Sequence, residues 1–264
     1  MTAVESLKAR YTEIQQRIAA AAAASGRAAK DILLVGISKY SGVEEIRELV
    51  LMGHRDFGEN QMQQLIQRSA MIDEWLARYR SLAVATGKRP TVDPVRWHMV
   101  GHLQRNKARK AADICRLIHS VDNLGLAEDL QDIAVAKETT IEVLVQVNTC
   151  GDRAKSGCAI PAAIHLVESI ESMTQVKVRG LMAMASHEPD GEEPRATFAR
   201  TRELFQEIVT TGVVGPDFNL LSMGMSNDFE DAIAEGSNVV RIGSALFGEP
   251  PADQAAPATD PAQG

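Results

Sequence analysis

No stretch of this sequence reaches the roughly 18 apolar residues of a membrane span. No compact basic-then-apolar leader opens it. The chain begins MTAVESLKAR, and the alanine run Ala19–Ala24 comes late, inside an amphipathic segment flanked by charge. Cysteine is scarce: Cys115, Cys150 and Cys158 cannot make a closed disulfide framework, and no CxxC pair occurs. That pattern suits a reduced cytoplasmic protein with buried or idle thiols. Basic charge is not in excess, since 28 Lys and Arg face 35 Asp and Glu for a formal net charge of -7. The balance argues against general nucleic-acid binding, which wants a basic face, and leaves room for a local cationic pocket around an anionic ligand. The dinucleotide fingerprint GxGxxG is also missing.

What is present is a rhythm. Residues 4 to 25 read as one helix, with Leu7, Tyr11, Ile14 and Ile18 at helical spacing and Ser25-Gly26 as its stop. Short β-rich runs follow at Ile32–Ser38, Asp56–Glu59, Trp97–Gly101, Leu117–Val121, Val143–Asn148, Val176–Met184, Asn219–Met223 and Val239–Ile242. Helical stretches separate them at 43–53, 60–80, 106–114, 124–138, 161–172, 194–212 and 227–235. Several strands are apolar on both faces, as in a parallel sheet covered by helices. This predicts an α/β protein: a single (β/α)8 TIM-type barrel over residues 1–249, with an extra N-terminal helix. The length suits it, since such barrels take about 250 residues. Residues 81–95 (SLAVATGKRPTVDPV) read as a loop insertion, and the Pro/Ala-rich segment 250–264 as a disordered tail.

Barrel enzymes keep their sites at the C-terminal ends of the strands. Lys39 stands there after an almost wholly apolar run. It is either a solvated rim lysine or a partly desolvated amine able to attack a carbonyl. Two loops near the other end of the barrel, at Ser226-Asn227 and Gly243-Ser244, each lead into a helix. Such loops bind phosphate through backbone N–H groups and hydroxyls, or serve as ordinary helix caps, Ser226-Asn227 for a helix over 228–235. Arg241 lies within an apolar strand, where it needs either a barrel carboxylate or an acceptor on a ligand. Together the three suggest an aldehyde bearing a phosphate and a ring nitrogen, which describes pyridoxal 5′-phosphate (PLP).

Eight blocks carry a family resemblance: LLVGISKY (33–40), DFGENQMQQ (56–64), WHMVGHLQRNK (97–107), HSVDNLGLAEDL (119–130), VLVQVNTCGDRAKSG (143–157), VRGLMAM (178–184), LSMGMSNDFEDAI (221–233) and VVRIGSALFG (239–248). With them the chain resembles the pyridoxal phosphate homeostasis protein family, relatives of the alanine racemase barrel domain, over about residues 5 to 248. The resemblance implies that Lys39 holds PLP as a Schiff base and that Arg241 faces the pyridine nitrogen. It implies phosphate contacts from Ser226, Gly243 and Ser244, with Ser222 and Met223 nearby, and pocket walls from Asn60 and Met182. Tyr40-Ser41-Gly42, His102 and the 81–95 segment depart from the family pattern.

The same resemblance sets the expected activity. Arginine does not give up its proton, so it leaves the ring nitrogen unprotonated and the ring a poor electron sink. The racemase draws its second base from a separate domain, and here only the tail follows the barrel. The expectation is therefore a monomeric PLP carrier that buffers the cofactor and hands it to apo-enzymes, without robust catalysis. Two alternatives stand beside it. One is a weak amino-acid racemase using Tyr40, His98 or His119 as second base. The other is a metal site built from His98, His102 and Glu59. The basic cluster Arg105, Lys107, Arg109 and Lys110 reads as a solvated helix face, and Asp152-Arg153-Lys155 as a polar loop near the mouth.

Overall fold

The alternation of apolar runs and amphipathic stretches becomes a closed barrel in the computed structural model, which describes residues 3–87, 92–152, 155–186 and 193–248. The strands are β1 (Leu33–Ile37), β2 (Asp56–Glu59), β3 (Arg96–Met99), β4 (Cys115–Val121), β5 (Ile141–Asn148), β6 (Cys158–Ala159), β7 (Val176–Met182), β8 (Leu220–Ser222) and β9 (Val239–Ile242). All their pairings are parallel. The order runs β1-β2-β3-β4-β5-β7-β8-β9 and closes from β9 back to β1. The two-residue β6, which the apolar pattern does not announce, pairs with the end of β5 outside the ring.

The helices α1 (Ala3–Ala24), α2 (Val43–Leu51), α3 (Met62–Ala85), α4 (Ala108–Ile114), α5 (Leu124–Ala136), α6 (Ile160–Glu171), α7 (Pro194–Thr211), α8 (Phe229–Ala234) and α9 (Ser244–Phe247) accompany the strands. The α1 stripe of Leu7, Tyr11, Ile14 and Ile18 is buried as its spacing predicts, against α8, α9 and α2. Arg27, just beyond α1, donates to Gly236 O and Ser237 O at 3.2 and 2.8 Å and so satisfies carbonyls at the end of α8. Helix α3 runs to Ala85, five residues into the segment expected to be a loop. Nothing in 81–85 breaks a helix, and the first breaker is Gly87. Residues 88–91 of that segment and the expected tail, 250–264, lie outside the described residues.

Strand alternation sorts side chains into two layers. Trp97, Met99, Ile118, Leu221, Val240 and Ile242 belong to the large core between barrel and helices. Leu117, Leu144 and Met182 form a second apolar cluster, with Met184 and Leu220 packed against it. A bulge keeps this parity in β7. Val143 pairs with Val178, but Val145 pairs with Leu181, so β7 holds one extra residue. Gly180 absorbs it at φ +147, where an added Cβ would sit 1.8 Å from Leu220 O. We expect Gly180→Ala to lower unfolding free energy by at least about 2 kcal/mol in urea titration. An unchanged denaturation midpoint and slope would show that β7 can close the barrel without the bulge.

Candidate functional site

The turn after β1 is built to present Lys39. Ser38 donates from Oγ to Glu59 Oε1 at 2.5 Å, and Arg68 on α3 pairs with the same carboxylate. Arg68 also donates to Ser41 O at 2.9 Å, and Ser41 Oγ to Ser38 O at 3.1 Å. Burial pushes the Glu59 carboxyl up, against the opposing pull of Ser38 and Arg68. The brace therefore joins the ends of β1 and β2 to α3. Lys39 itself is only partly buried, and its Nζ lies 4.6 Å from the Tyr40 ring centroid. Arg68 and Glu59 were not readable as braces: an arginine in an amphipathic helix and a glutamate at a strand end give no sequence sign that they meet.

Lys39 and Tyr40 line a cavity of about 330 Å³ together with Ile37, Ser226, Arg241, Gly243 and Ser244. The two loops after β8 and β9 meet on one atom. Gly243 N–H and Ala245 N–H donate to Ser226 Oγ at 3.3 and 3.2 Å. Ser226 was expected to cap the helix over 228–235. That helix instead starts at Phe229 behind Asp228, whose Oδ1 accepts from Met225 N–H at 2.5 Å. The Ser226 hydroxyl thus belongs to the other loop, where converging N–H groups and a hydroxyl suit an anion. The β8 loop turns at Gly224, φ +92, where a Cβ would lie 2.6 Å from Ala232 Cβ. Gly224 O accepts from Arg241 N–H at 3.0 Å and ties the turn to β9.

Arg241 is buried in the barrel and projects to this cavity. Its Nη1 donates to Ser222 Oγ at 2.7 Å and its Nη2 to Ala183 O at 3.0 Å. Both acceptors are neutral, and among the described residues no carboxylate lies at ion-pair distance, so the alternative of a structural salt bridge is not met. Burial pulls the guanidinium down to about 10, against the favourable field of Asp228, and it stays charged at neutral pH. A buried guanidinium with neutral partners and unused N–H groups fits an acceptor supplied by a ligand.

The other expected residues fall elsewhere. Ser222 is fully buried behind Arg241. Met182 sits in the inner apolar cluster, and Met223 packs into the outer core beneath the helices, one strand position out of phase with Ser222. Asn60 lines a separate cavity of about 430 Å³ with His102, Gln104 and Lys107. Of the candidate second bases, Tyr40 lines the Lys39 cavity, while His98 and His119 are buried and bonded to one another. The residues of the metal alternative have different partners: His98 meets Asp56 and His119, Glu59 meets Ser38 and Arg68, and His102 lies 3.9 Å from Asp122 at the surface. Among the described residues no cluster of three His, Cys, Asp or Glu could hold a metal. Arg105 in the basic cluster pairs with Asp129 through two bonds, 2.6 and 2.8 Å. Arg153 of the polar loop lies outside the described residues. Burial raises the Cys115 and Cys158 thiols to about 12 and 11, consistent with packing groups. No helix among the described residues is long and apolar enough to cross a membrane.

Comparison with known proteins bears on the family and the fold. The family described as alanine racemase, N-terminal domain, matches residues 5–251. A pyridoxal phosphate homeostasis protein of Pseudomonas aeruginosa is 35% identical over 94% of this chain and 96% of its own. A solved protein from Bifidobacterium adolescentis superposes with a TM-score of 0.80 at 32% identity, covering 93% of this chain and 96% of its own. PipY of Synechococcus elongatus, solved with PLP bound, gives a TM-score of 0.69 at 31% identity, over 83% and 93% of the two chains. The chain is thus a barrel of the alanine racemase N-terminal-domain class, and within that class it belongs to the pyridoxal phosphate homeostasis protein family.

The barrel interior makes one acid-sensitive contribution to stability. Burial alone would raise the Asp56 carboxyl, but hydrogen bonds from His98 and Arg96 outweigh it and hold the group at about 2. The folded value lies below the unfolded one. The resulting stabilisation, about 2 kcal/mol, is complete above about pH 4 and fades as pH falls towards 2. Urea unfolding of the unaltered protein and Asp56→Asn should show a stability gap that narrows over that window. A gap of constant size from pH 6 to 2 would refute the assignment.

Proposed function

We propose that this protein binds pyridoxal 5′-phosphate reversibly, buffers it in the reducing cytoplasm as a monomer, and releases it to apo-enzymes. The observation that carries the reading is Arg241: a buried guanidinium whose acceptors among the described residues are neutral, opening on the cavity that Lys39 also lines. The residues fit the group at three points. Lys39 offers an amine, Arg241 a donor for the ring nitrogen, and Ser226, Gly243, Ser244 and the Ala245 N–H a cradle for phosphate. When bound, PLP supplies an aldehyde. Lys39 Nζ would hold it through that aldehyde as a reversible Schiff base, water being lost on attachment and taken up on release.

Two features support storage over turnover. Arg241 cannot protonate the ring nitrogen and so does not make the ring a strong electron sink. The curated relatives are named homeostasis proteins rather than enzymes. One observation favours a second reading, weak racemisation: Tyr40 lines the Lys39 cavity and carries a proton-transfer group.

Borohydride reduction of the PLP-loaded protein, followed by peptide mapping, should place the label on Lys39. Lys39→Ala should lose the visible band, and Arg241→Met should weaken PLP retention about tenfold or more. A band that survives Lys39→Ala, or label spread over surface lysines, sinks the proposal. Incubation with L-alanine in deuterated water separates the two readings: label at the α-carbon that disappears in Tyr40→Phe would establish racemisation.

A further inference from the structure

A single file of polar side chains crosses the barrel interior. Ser222 Oγ, which accepts from Arg241, lies 3.0 Å from Nδ1 of His119. Nε2 of His119 lies 2.9 Å from Nδ1 of His98, and Nε2 of His98 lies 3.1 Å from Asp56 Oδ1. Asp56 ends the file in an ion pair with Arg96, whose side chain is half exposed at the opposite end of the barrel. Every member between Arg96 and the cavity is under a tenth exposed. His119 on β4 meets Ser222 on β8, two strands that are not neighbours in the sheet, so the file spans the interior. Barrel interiors are ordinarily filled by layers of branched aliphatic side chains. A polar file in their place carries a desolvation cost unless each group is satisfied.

The two ends dictate how the protons are arranged. A guanidinium only donates, and a carboxylate paired with Arg96 only accepts. One arrangement with both imidazoles neutral satisfies every contact. Arg241 donates to Ser222, Ser222 to His119 Nδ1, His119 Nε2–H to His98 Nδ1, and His98 Nε2–H to Asp56. All donors then point the same way along the file, and each bond polarises the next. Reversing the histidine–histidine bond would require a second proton on His98. Burial and the facing His98 and Arg241 together disfavour charge on His119, in keeping with the neutral arrangement.

We propose that Asp56, His98 and His119 are positioning residues for Arg241: the relay fixes the Ser222 acceptor and so aims the guanidinium at the ring nitrogen of the bound ligand. The proposal rests on the PLP reading only for the identity of that ligand. It extends the site by some of the most buried polar groups in the molecule, none of which touches the cavity.

The test begins without ligand. Long-range ¹⁵N–¹H correlation spectra of the apo protein at neutral pH, assigned with His98→Gln and His119→Gln, should show both imidazoles neutral and protonated on Nε2. A doubly protonated His98, or an Nδ1–H tautomer at either ring, overturns the relay. PLP titration of variants then tests positioning. His119→Leu, folded by circular dichroism, should weaken PLP binding about tenfold, the scale of one charge-assisted hydrogen bond. It should also shift the visible absorption maximum. His119→Gln, which can still accept from Ser222 and donate to His98, should restore the maximum and bring binding to within about threefold of the unaltered protein. A folded His119→Leu protein with unaltered maximum and affinity overturns the positioning role. If His119→Leu does not fold, His98→Leu, which removes the donor to Asp56 and the acceptor for His119, takes its place with the same criterion. Absence of any band in the unaltered protein overturns the PLP reading and the positioning role with it. That failure is distinct from failure of the relay, because the imidazole spectra are read without ligand.

Discussion

A guanidinium inside a closed barrel is a costly object, and much of the interior is arranged around Arg241. Burial lowers its proton affinity without removing its charge at neutral pH. Removing a charge from water costs several kcal/mol unless hydrogen bonds replace the lost solvent. Ser222 and Ala183 replace part of it, and the field of Asp228 helps. The bulge at Gly180 lies on the same account, because it sets the parity of β7 just before the stretch whose Ala183 carbonyl receives Arg241.

The ligand end is held by braces rather than by the residues that would touch a ligand. Glu59 and Arg68 shape the turn that carries Lys39, and neither lines the cavity. Ser226 reaches from one loop to the N–H groups of the next, so the cradle for an anion is shared by two loops that pack as a unit. Those N–H groups already have an acceptor in Ser226 Oγ, so an arriving anion takes the place of that hydroxyl while the two loops stay tied to each other.

Much of this was legible in the chain itself. The barrel followed from strand–helix periodicity, because every crossover needs a helix and every strand is covered on both sides. Lys39, Arg241 and the Ser/Gly loops stood out as charge and flexibility in apolar surroundings, and they do share one cavity. Met223 shows a limit of that reading. A residue next to Ser222 in sequence points the other way in a strand, and proximity along the chain said nothing about the face. The histidines show another limit. His98 and His119 were read as separate candidates for base or metal work, since nothing in a one-dimensional pattern reveals that β4 faces β8 across a barrel. The helical start of the 81–95 segment was hidden by its prolines, which act only after Gly87.

The contact between α1 and α9 bears on how the protein comes into being. Arg10 donates to Leu246 O at 2.8 Å and to Phe247 O at 3.1 Å, across 236 and 237 positions of chain. The short helix so gripped is the one whose first N–H groups surround Ser226. A nascent chain emerging from the ribosome therefore carries α1 long before the segment it must hold exists. The strand that closes the ring, β9, and the helix that completes the cradle, α9, are adjacent at the C-terminal end of the described chain, and contacts of such separation form slowly. A chain that stops short of Gly243 and α9 would carry Lys39 without the N–H groups that meet Ser226.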